Sequence, residues 1–145
     1  MKRLALGATL LALGVSFALA QQDPIAARKA LMKKNGDEAK IGTQFMKGEA
    51  PFDLAKAKAI FATYQDAASK MPNLFPDNSK TGGDTAALPA IWEKKGDFEA
   101  KFKKVGEDAK DAAAKITDEA SFKAAFPNVQ KNCGGCHETY RMKKS

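Results

Sequence analysis

The residues with the most specific chemistry are Cys133, Cys136 and His137, in the segment Cys133-Gly134-Gly135-Cys136-His137. They include both cysteines and the single histidine of the 145-residue chain. The spacing C-x-x-C-H is that of c-type haem attachment. Two thiols about one helical turn apart can each form a thioether with one haem vinyl group, while the adjacent imidazole binds the iron. The motif therefore predicts one covalently bound haem c, attached through both cysteines, with His137 as the proximal iron ligand.

Other uses of the same residues have less support. A thioredoxin-like dithiol needs its first cysteine after a strand and at the start of a helix, whereas this motif lies late in a predicted helix. A zinc site would need a second Cys or His pair, and the sequence offers none. With the only histidine assigned to iron, no Ser-His or Cys-His pair is left for nucleophilic catalysis, so we expect no enzyme.

The first twenty residues have the pattern of an export signal. Lys2 and Arg3 precede an apolar run over residues 4–17, and Ala18-Leu19-Ala20 supplies a small-x-small cleavage site. The apolar run is shorter than the roughly 20 residues that span a bilayer. We expect residues 1–20 to be a cleaved signal peptide and residues 21–145 to be one periplasmic domain that is not inserted in the membrane. This agrees with the motif, because haem c is attached on the exported side.

The composition indicates a globular protein with a solvated surface. The chain has 44% hydrophobic and 28% charged residues, and a formal net charge of +7. Loss of Lys2 and Arg3 with the signal peptide lowers that charge by two, to +5. The lysines are spread along the sequence without interleaved aromatic residues, so nucleic-acid binding is not expected.

Apolar residues recur at steps of three and four along four segments, a periodicity that predicts helices. The segments are residues 23–46, from the cap Asp53 to about Lys70, residues 97–116, and from Asp118 to Tyr140. Pro127 lies inside the last segment and is expected to kink or restart that helix. Residues 71–89 hold three prolines and two glycines, and are expected to form a long connection without regular structure.

These segments predict an all-α fold. No segment shows the sustained alternation of a strand, and β-branched residues are sparse. Heptad-like apolar stripes on four helices pack as a bundle, and short links make neighbouring helices antiparallel. We therefore expect an antiparallel up-down-up-down four-helix bundle with haem bound covalently near its end.

The sequence resembles the class II cytochromes c, the cytochrome c-prime family, over residues 21–145. The matching segments are Arg28-Lys29-Ala30-Leu31-Met32, Lys47-Gly48 through Pro51 and Asp53, Pro89-Ala90-Ile91-Trp92, and Cys133 to Arg141. The resemblance implies a four-helix bundle whose haem motif lies near the carboxyl terminus. It also implies redox partner proteins, and a homodimer formed through the first two helices, as in many family members.

Met32 is the candidate for the position opposite His137. It lies eight residues after Pro24, and His137 lies eight before the chain end, so both are roughly 12 Å from the same end of an antiparallel bundle. We expect Met46 and Met71 to lie near the other end, and Met142 shares a helix with His137. The resemblance likewise places Met32 on the distal side of the haem.

Two roles for Met32 remain open. If its sulfur binds iron, the haem is six-coordinate and low-spin, and the protein transfers electrons. If it only packs over the ring, the haem is five-coordinate and high-spin, and nitric oxide or carbon monoxide could bind. Residues 31–36 and 74–77 resemble the low-spin branch of the family, which favours ligation.

The resemblance also implies roles for two arginines. Arg28 is expected to pair with a haem propionate, and Arg141 to lie beside the proximal imidazole. Lys131, Lys143 and Lys144 lie near the attachment motif in sequence and could steer an acidic redox partner.

Overall fold

The computed structural model describes residues 23–143, and this part of the chain is helical with no strand. Its helices are α1 (Pro24–Lys47), α2 (Leu54–Lys70), α3 (Ala90–Glu93), α4 (Lys95–Lys115) and α5 (Glu119–Tyr140). The four long helices are those predicted from the apolar periodicity, so the all-α prediction is confirmed. The predicted signal peptide, residues 1–20, lies outside the described residues and stays a prediction.

Side chains and glycine define the helix ends. Asp23 and Asp53 accept hydrogen bonds from the first-turn amides of α1 and α2, and Asp118 forms a capping box with Ser121 at the start of α5. Gly48 ends α1 with a left-handed backbone, at φ 71°. The boundaries therefore follow from local chemistry that is readable in the sequence.

The long helices follow one another around an antiparallel bundle. In chain order, α1 packs against α2, α2 against α4, and α4 against α5, while α5 returns to contact α1. The predicted up-down-up-down bundle is confirmed. Gly42 lets α1 and α5 approach closely, because a Cβ atom at that position would lie 2.4 Å from the ring of Phe126.

The core has two clusters, one in each half of the bundle. The cluster away from the cysteine motif is built mainly from aromatic and aliphatic side chains, among them Phe45, Ile60, Phe61, Phe122, Phe126 and Val129. The cluster near the motif contains Met71, Ile91, Phe98, Phe102 and Tyr140, with Leu31, Met32 and Cys136 packed against it.

The connection between α2 and α4 is more regular than expected. Met71–Leu74 and Asp77–Ser79 form 3₁₀ turns, and Ala90–Glu93 forms the one-turn helix α3. Backbone hydrogen bonds from Leu88 to Tyr140 (3.1 Å) and from Met142 to Ala86 (2.8 Å) tie the connection to the end of α5. The connection therefore closes the end of the bundle that carries the cysteine motif.

The expected restart at Pro127 is wrong, because α5 runs without interruption from Glu119 to Tyr140. A proline removes one amide from the helix, which leaves the carbonyl four residues earlier without its usual partner. The side chain of the next residue, Asn128, adds a hydrogen bond within the helix, since its Nδ2 donates to the carbonyl of Ala124 at 3.1 Å. The cysteine motif is therefore held on the same continuous helix as the core residues Phe122 and Phe126.

Two features of the surface bear on partners. Among residues 23–143, no helix is long and apolar enough to cross a membrane. Within the same range, the large hydrophobic side chain that stands exposed is Met142, at 52%. It follows α5 and belongs to neither α1 nor α2. The homodimer stays a prediction.

Candidate haem-binding site

The cysteine motif faces a cavity inside the bundle. Cys133, Cys136 and His137, all late in α5, line a cavity of ≈ 320 Å³. Met32 of α1 and Phe102 of α4 line the same cavity from the facing helices. The structure thus brings together the two thiols, the imidazole and the thioether that the sequence singled out.

A second cavity of ≈ 160 Å³ adjoins the first toward the closed end of the bundle. Met32, Phe102, Cys136, His137 and Arg141 line both cavities. The smaller cavity is completed by the connection and by the second core cluster, through residues that include Arg28, Met71, Phe75, Ala87 and Tyr140. His137 therefore has a cavity on the side of the bundle's middle and another on the side of its closed end.

The expected position of Met71 is wrong. It does not lie at the far end of the bundle, since it packs in the core cluster that contacts Met32 and lines the smaller cavity with His137. The reason is the antiparallel direction of α2, whose carboxyl end returns to the level where α1 begins. Met71 is 3% exposed. A second thioether is thus close to the site, although Met32 alone of the two lines both cavities.

The two thiols have the environment of buried groups, not of a redox-active dithiol. Both cysteines are half-buried and unbonded to each other. Burial raises the pKa of Cys133 and of Cys136, whereas a reactive thiolate needs a lowered pKa. The pair lies well inside α5 and not at its start. Zinc has no support either, because residues 23–143 contain no cluster of three or more His, Cys, Asp or Glu side chains.

His137 is suited to bind a metal through a neutral imidazole. Burial lowers its pKa, and the positive charge of Arg141 lowers it further. A neutral ring keeps one nitrogen lone pair free for a metal ion. Arg141 itself is exposed, lies four residues after His137 on the same helical face, and donates its backbone N–H to the carbonyl of His137 at 3.3 Å.

Arg28 is engaged by the connection. Its terminal nitrogens donate to the carbonyl of Leu74 (3.1 Å), to the hydroxyl and carbonyl of Ser79 (2.9 and 2.8 Å) and to the hydroxyl of Thr85 (2.6 Å). The guanidinium also lies 4.5 Å from the centre of the Phe75 ring. These four bonds use all the N–H groups of the two terminal nitrogens. The expected pairing of Arg28 with a haem propionate stays a prediction.

Five polar residues that line the larger cavity are absent from the sequence predictions. They are Asn35, Tyr64, Lys101, Gln130 and Asn132. Gln130 Nε2 donates to the hydroxyl of Tyr64 at 2.9 Å, across α5 and α2. Helical spacing would have found two of them, since Asn35 lies three residues after Met32 and Gln130 three before Cys133. Tyr64 lies on the buried face of α2 and also belongs to the first core cluster.

The residues present fit a covalently held haem. The cavity has two thiols one turn apart for the vinyl groups, a neutral imidazole beside the second thiol, and a thioether on the facing helix. Its other walls include the apolar side chains of Phe102 and Val105, which suit a porphyrin ring. Asn35 is one of the lining residues, and its Oδ1 atom is buried without a hydrogen-bond partner among the described residues.

Comparison with known proteins identifies the family. The family sequence model described as Cytochrome C' matches residues 23–141. Cytochrome c' of Rhodopseudomonas palustris is 48% identical over 143 residues, which covers 99% of this chain and 98% of the relative. Cytochrome c-556 of Agrobacterium fabrum is 41% identical over 121 residues, 83% of this chain and 82% of the relative. The solved structure of the Rhodopseudomonas palustris cytochrome c' covers 86% of this chain and 100% of its own, with a TM-score of 0.83. The chain therefore belongs to the cytochrome c' family of c-type cytochromes, which carry covalent haem c.

Proposed function

We propose that this cytochrome is a low-spin electron-transfer protein in which His137 and Met32 bind the haem iron from opposite sides. Cys133 and Cys136 hold the haem through thioethers. One observation carries the proposal: Met32 and His137 project from different helices, α1 and α5, and line the same two adjoining cavities. Relatives named cytochrome c-556 and cytochrome c' support covalent haem in this chain.

The chain's own residues supply the conditions for rapid electron exchange. Bound haem contributes a one-electron Fe(III)/Fe(II) couple, and a thioether ligand favours Fe(II) and so raises the reduction potential. The neutral imidazole of His137 needs no proton release to bind iron. Phe102, which is 7% exposed, and the half-buried Val105 exclude water from the walls. A rigid helical frame keeps both ligands in position through the change of charge. Nothing in this assignment requires an enzymatic role.

The competing function is gas binding by a five-coordinate haem. It shares His137 and both cysteines, and differs only in whether the Met32 sulfur is bound. One observation favours it, since the chain is 48% identical to a relative named cytochrome c' and 41% identical to one named cytochrome c-556. The two functions can therefore be distinguished by whether the iron has five or six ligands.

The test compares Met32→Leu with Met71→Leu in the haem-loaded protein. We expect the oxidised wild-type protein to be low-spin, with a near-infrared sulfur-to-iron charge-transfer band. Met32→Leu should become high-spin and lose that band, whereas Met71→Leu should keep both. The Met71 variant is a matched control, because that thioether is also buried beside the site. A high-spin wild-type protein that binds carbon monoxide, or loss of the band in Met71→Leu only, would contradict the assignment of Met32.

We place this electron transfer in the periplasm, with an acidic redox protein as partner. The location rests on the signal-like pattern of residues 1–20 and on haem attachment after export. Lys131 and Lys143 carry positive charge near the end of α5, and a third lysine, Lys144, lies outside the described residues. We expect the mature chain to begin at Gln21 when it is purified from the periplasmic fraction, and its oxidation rate by an acidic partner to fall with salt. A rate insensitive to ionic strength would contradict the acidic partner.

A further inference from the structure

Arg28 carries a buried positive charge that is bonded only to neutral groups. The residue is 4% exposed, and its hydrogen bonds go to two carbonyls and two hydroxyls of the connection. No ion pair within residues 23–143 includes it. Burial lowers its pKa, and the charge of Asp23 raises that pKa by less. Because a buried charge without an opposite charge is unfavourable, this part of the site is suited to an anion.

The buried charge borders the smaller of the two cavities beside His137. Arg28 lines that cavity and does not line the larger one. Haem itself brings two carboxylates, on the edge of the ring opposite its vinyl groups. Cys133, which would bind one vinyl group, lines only the larger cavity. The haem carboxylates are therefore the anions expected on the side of the smaller cavity.

Thr85 has a hydroxyl donor next to that charge. Its Oγ1 accepts hydrogen bonds from Nη2 of Arg28 at 2.6 Å and from the amide of Ala87 at 3.2 Å. A threonine hydroxyl has two acceptor sites and one donor, so both acceptor sites are occupied. No acceptor among the described residues takes its proton. Thr85 is half-buried and lines the smaller cavity, so its donor is available to a group bound there.

The other polar side chains of the smaller cavity are engaged or exposed. Tyr140 donates its hydroxyl to Asp97 at 2.5 Å, and His137 is assigned to iron. Lys29 and Arg141 are exposed, and neither has a buried hydrogen bond that fixes the position of its charged group. Thr85 is thus the donor of this cavity that the fold holds in one place.

Lys101 is the remaining cation that lines either cavity, and it belongs to the larger one. Its Nζ lies 4.0 Å from a carboxylate oxygen of Asp97. Burial raises the pKa of Cys136, and the charge of Lys101 opposes that rise. Lys101 therefore acts beside a thiol that would bind a vinyl group, on the edge of the haem opposite the carboxylates.

We propose that the hydroxyl of Thr85 donates a hydrogen bond to a haem carboxylate, and that Arg28 supports this bond through Thr85. The proposal rests on the proposed function, in that haem occupies the cavities beside His137. Nη2 of Arg28 holds the Thr85 oxygen in place and polarises its hydroxyl, which makes that hydroxyl a stronger donor. The carboxylate in turn compensates the buried charge of Arg28. Thr85 is then a haem-binding residue, and Arg28 is a positioning residue.

The test compares Thr85→Val with Thr85→Ser in the oxidised, haem-loaded protein. Valine keeps the shape of threonine without the hydroxyl, whereas serine keeps the hydroxyl. Hydrogen bonding raises the frequency of the propionate bending band in resonance Raman spectra, so Thr85→Val should shift this band to lower frequency and Thr85→Ser should restore it. The midpoint potential of Thr85→Val should also fall, because a carboxylate that loses its donor stabilises Fe(III) more. Thr85→Ala repeats the deletion, so that the result does not depend on one variant folding.

Ser79→Ala is the matched control. It also removes a hydroxyl that accepts from Arg28, at 2.9 Å, but Ser79 lines neither cavity. Its propionate band should stay at the wild-type frequency, which separates a direct bond from a disturbance of Arg28. Lys29→Ala and Arg141→Ala measure the contribution of the exposed cations that line the smaller cavity.

The outcomes separate this proposal from the proposed function. A lower band frequency in Thr85→Val and Thr85→Ala, with wild-type values in Thr85→Ser and Ser79→Ala, supports the bond from Thr85. A red protein whose band is unchanged by both deletions, or shifts only in Lys29→Ala or Arg141→Ala, overturns the role of Thr85 and leaves the haem assignment intact. An equal shift in Ser79→Ala overturns the direct bond as well. A colourless protein with the mass of the bare chain overturns the proposed function itself.

Discussion

The guanidinium of Arg28 donates hydrogen bonds to both the hydroxyl and the carbonyl of Ser79, at 2.9 and 2.8 Å, across 51 positions of sequence. Arg28 is four residues, or about one helical turn, before Met32 on α1. Ser79 ends the second 3₁₀ turn of the connection and is 1% exposed. The start of α1 is therefore fixed to the connection close to the proposed iron ligand, and the connection helps to set where that part of α1 lies.

Replacement of Arg28 by alanine should destabilise the haem-loaded protein strongly. The change leaves the buried acceptors of Leu74, Ser79 and Thr85 without donors, and unpaired buried groups are costly. We expect a loss of about 2–4 kcal/mol in the free energy of unfolding, measured with urea. Lys29→Ala is the control, because the bond from Lys29 to the Gly83 carbonyl is exposed. Its effect on the free energy of unfolding should stay within about 0.5 kcal/mol. Equal losses in the two variants would contradict the role of the Arg28 hydrogen bonds in fixing α1 to the connection.

The two cysteines should contribute one haem bond each. Cys133→Ala and Cys136→Ala should each retain haem through a single thioether, whereas the double variant should release it into acidified acetone. The masses of the denatured proteins measure this directly, since bound haem adds its mass only where a thioether survives. Lys131→Ala serves as the control, because its side chain is exposed on the same helix. Covalent haem in the double variant would show that the attachment lies elsewhere.

The fold and the attachment motif were predictable because both depend on local sequence. Apolar side chains at steps of three and four indicate a buried helix face, and this signal does not depend on which element packs against that face. Capping residues such as Asp53 and Asp118 bind the amides of the first turn of their own helix. The C-x-x-C-H motif likewise needs only one helical turn. These features were sufficient to predict the bundle and the attachment motif. In the structure Cys133, Cys136 and His137 line one cavity.

The rest depends on which residues meet across the bundle, and that is not local. Met71 lies near Met32 because α2 runs antiparallel to α1, so that the carboxyl end of α2 lies at the level where α1 begins. The prediction for Met32 and His137 took the antiparallel directions of α1 and α5 into account, but the prediction for Met71 did not use the direction of α2. The hydrogen bonds of Arg28 depend on the path of the connection. Its prolines and glycines predicted an irregular backbone, but they did not predict the 3₁₀ turn that contains Ser79. Asn35 carries no distinguishing signal beyond its spacing from Met32, and only the cavity reveals its unpaired oxygen.

Stability should fall in acid partly because Asp108 becomes protonated. Hydrogen bonds from Lys104 and then Asn132 lower the pKa of Asp108, and the bond from Asn132 ties α4 to the helix of the cysteine motif. Because the folded pKa is below the unfolded one, this stabilisation is present above the unfolded pKa and is lost as the pH falls through the folded value.

Asp108→Asn should therefore be less stable than the wild type by about 0.5–1 kcal/mol at neutral pH, a small effect because the carboxylate is partly exposed. Urea unfolding from about pH 6 to about pH 2 should show this difference shrinking in acid. Asp111→Asn is the control on the same helix, since Asp111 pairs only with exposed Lys115, at 3.9 Å. A difference that grows as the pH falls would contradict the assigned direction.

Any larger residue at Gly42 should destabilise the protein, because α1 lies directly against the Phe126 ring of α5 at this position. A Cβ at Gly42 would lie 2.4 Å from two ring carbons of Phe126, which is itself buried at 4% exposure. Gly42→Ala must displace the ring or separate the helices, and we expect a loss of about 1–3 kcal/mol in urea unfolding. Gly96→Ala in α4 meets nothing within 4 Å, and should be neutral or up to about 1 kcal/mol more stable, because alanine is the better helix former. If Gly42→Ala behaved like Gly96→Ala, the close contact between α1 and the Phe126 ring would not limit stability, and the position of Met32 opposite His137 would depend on the packing of α1 against α2 and the connection.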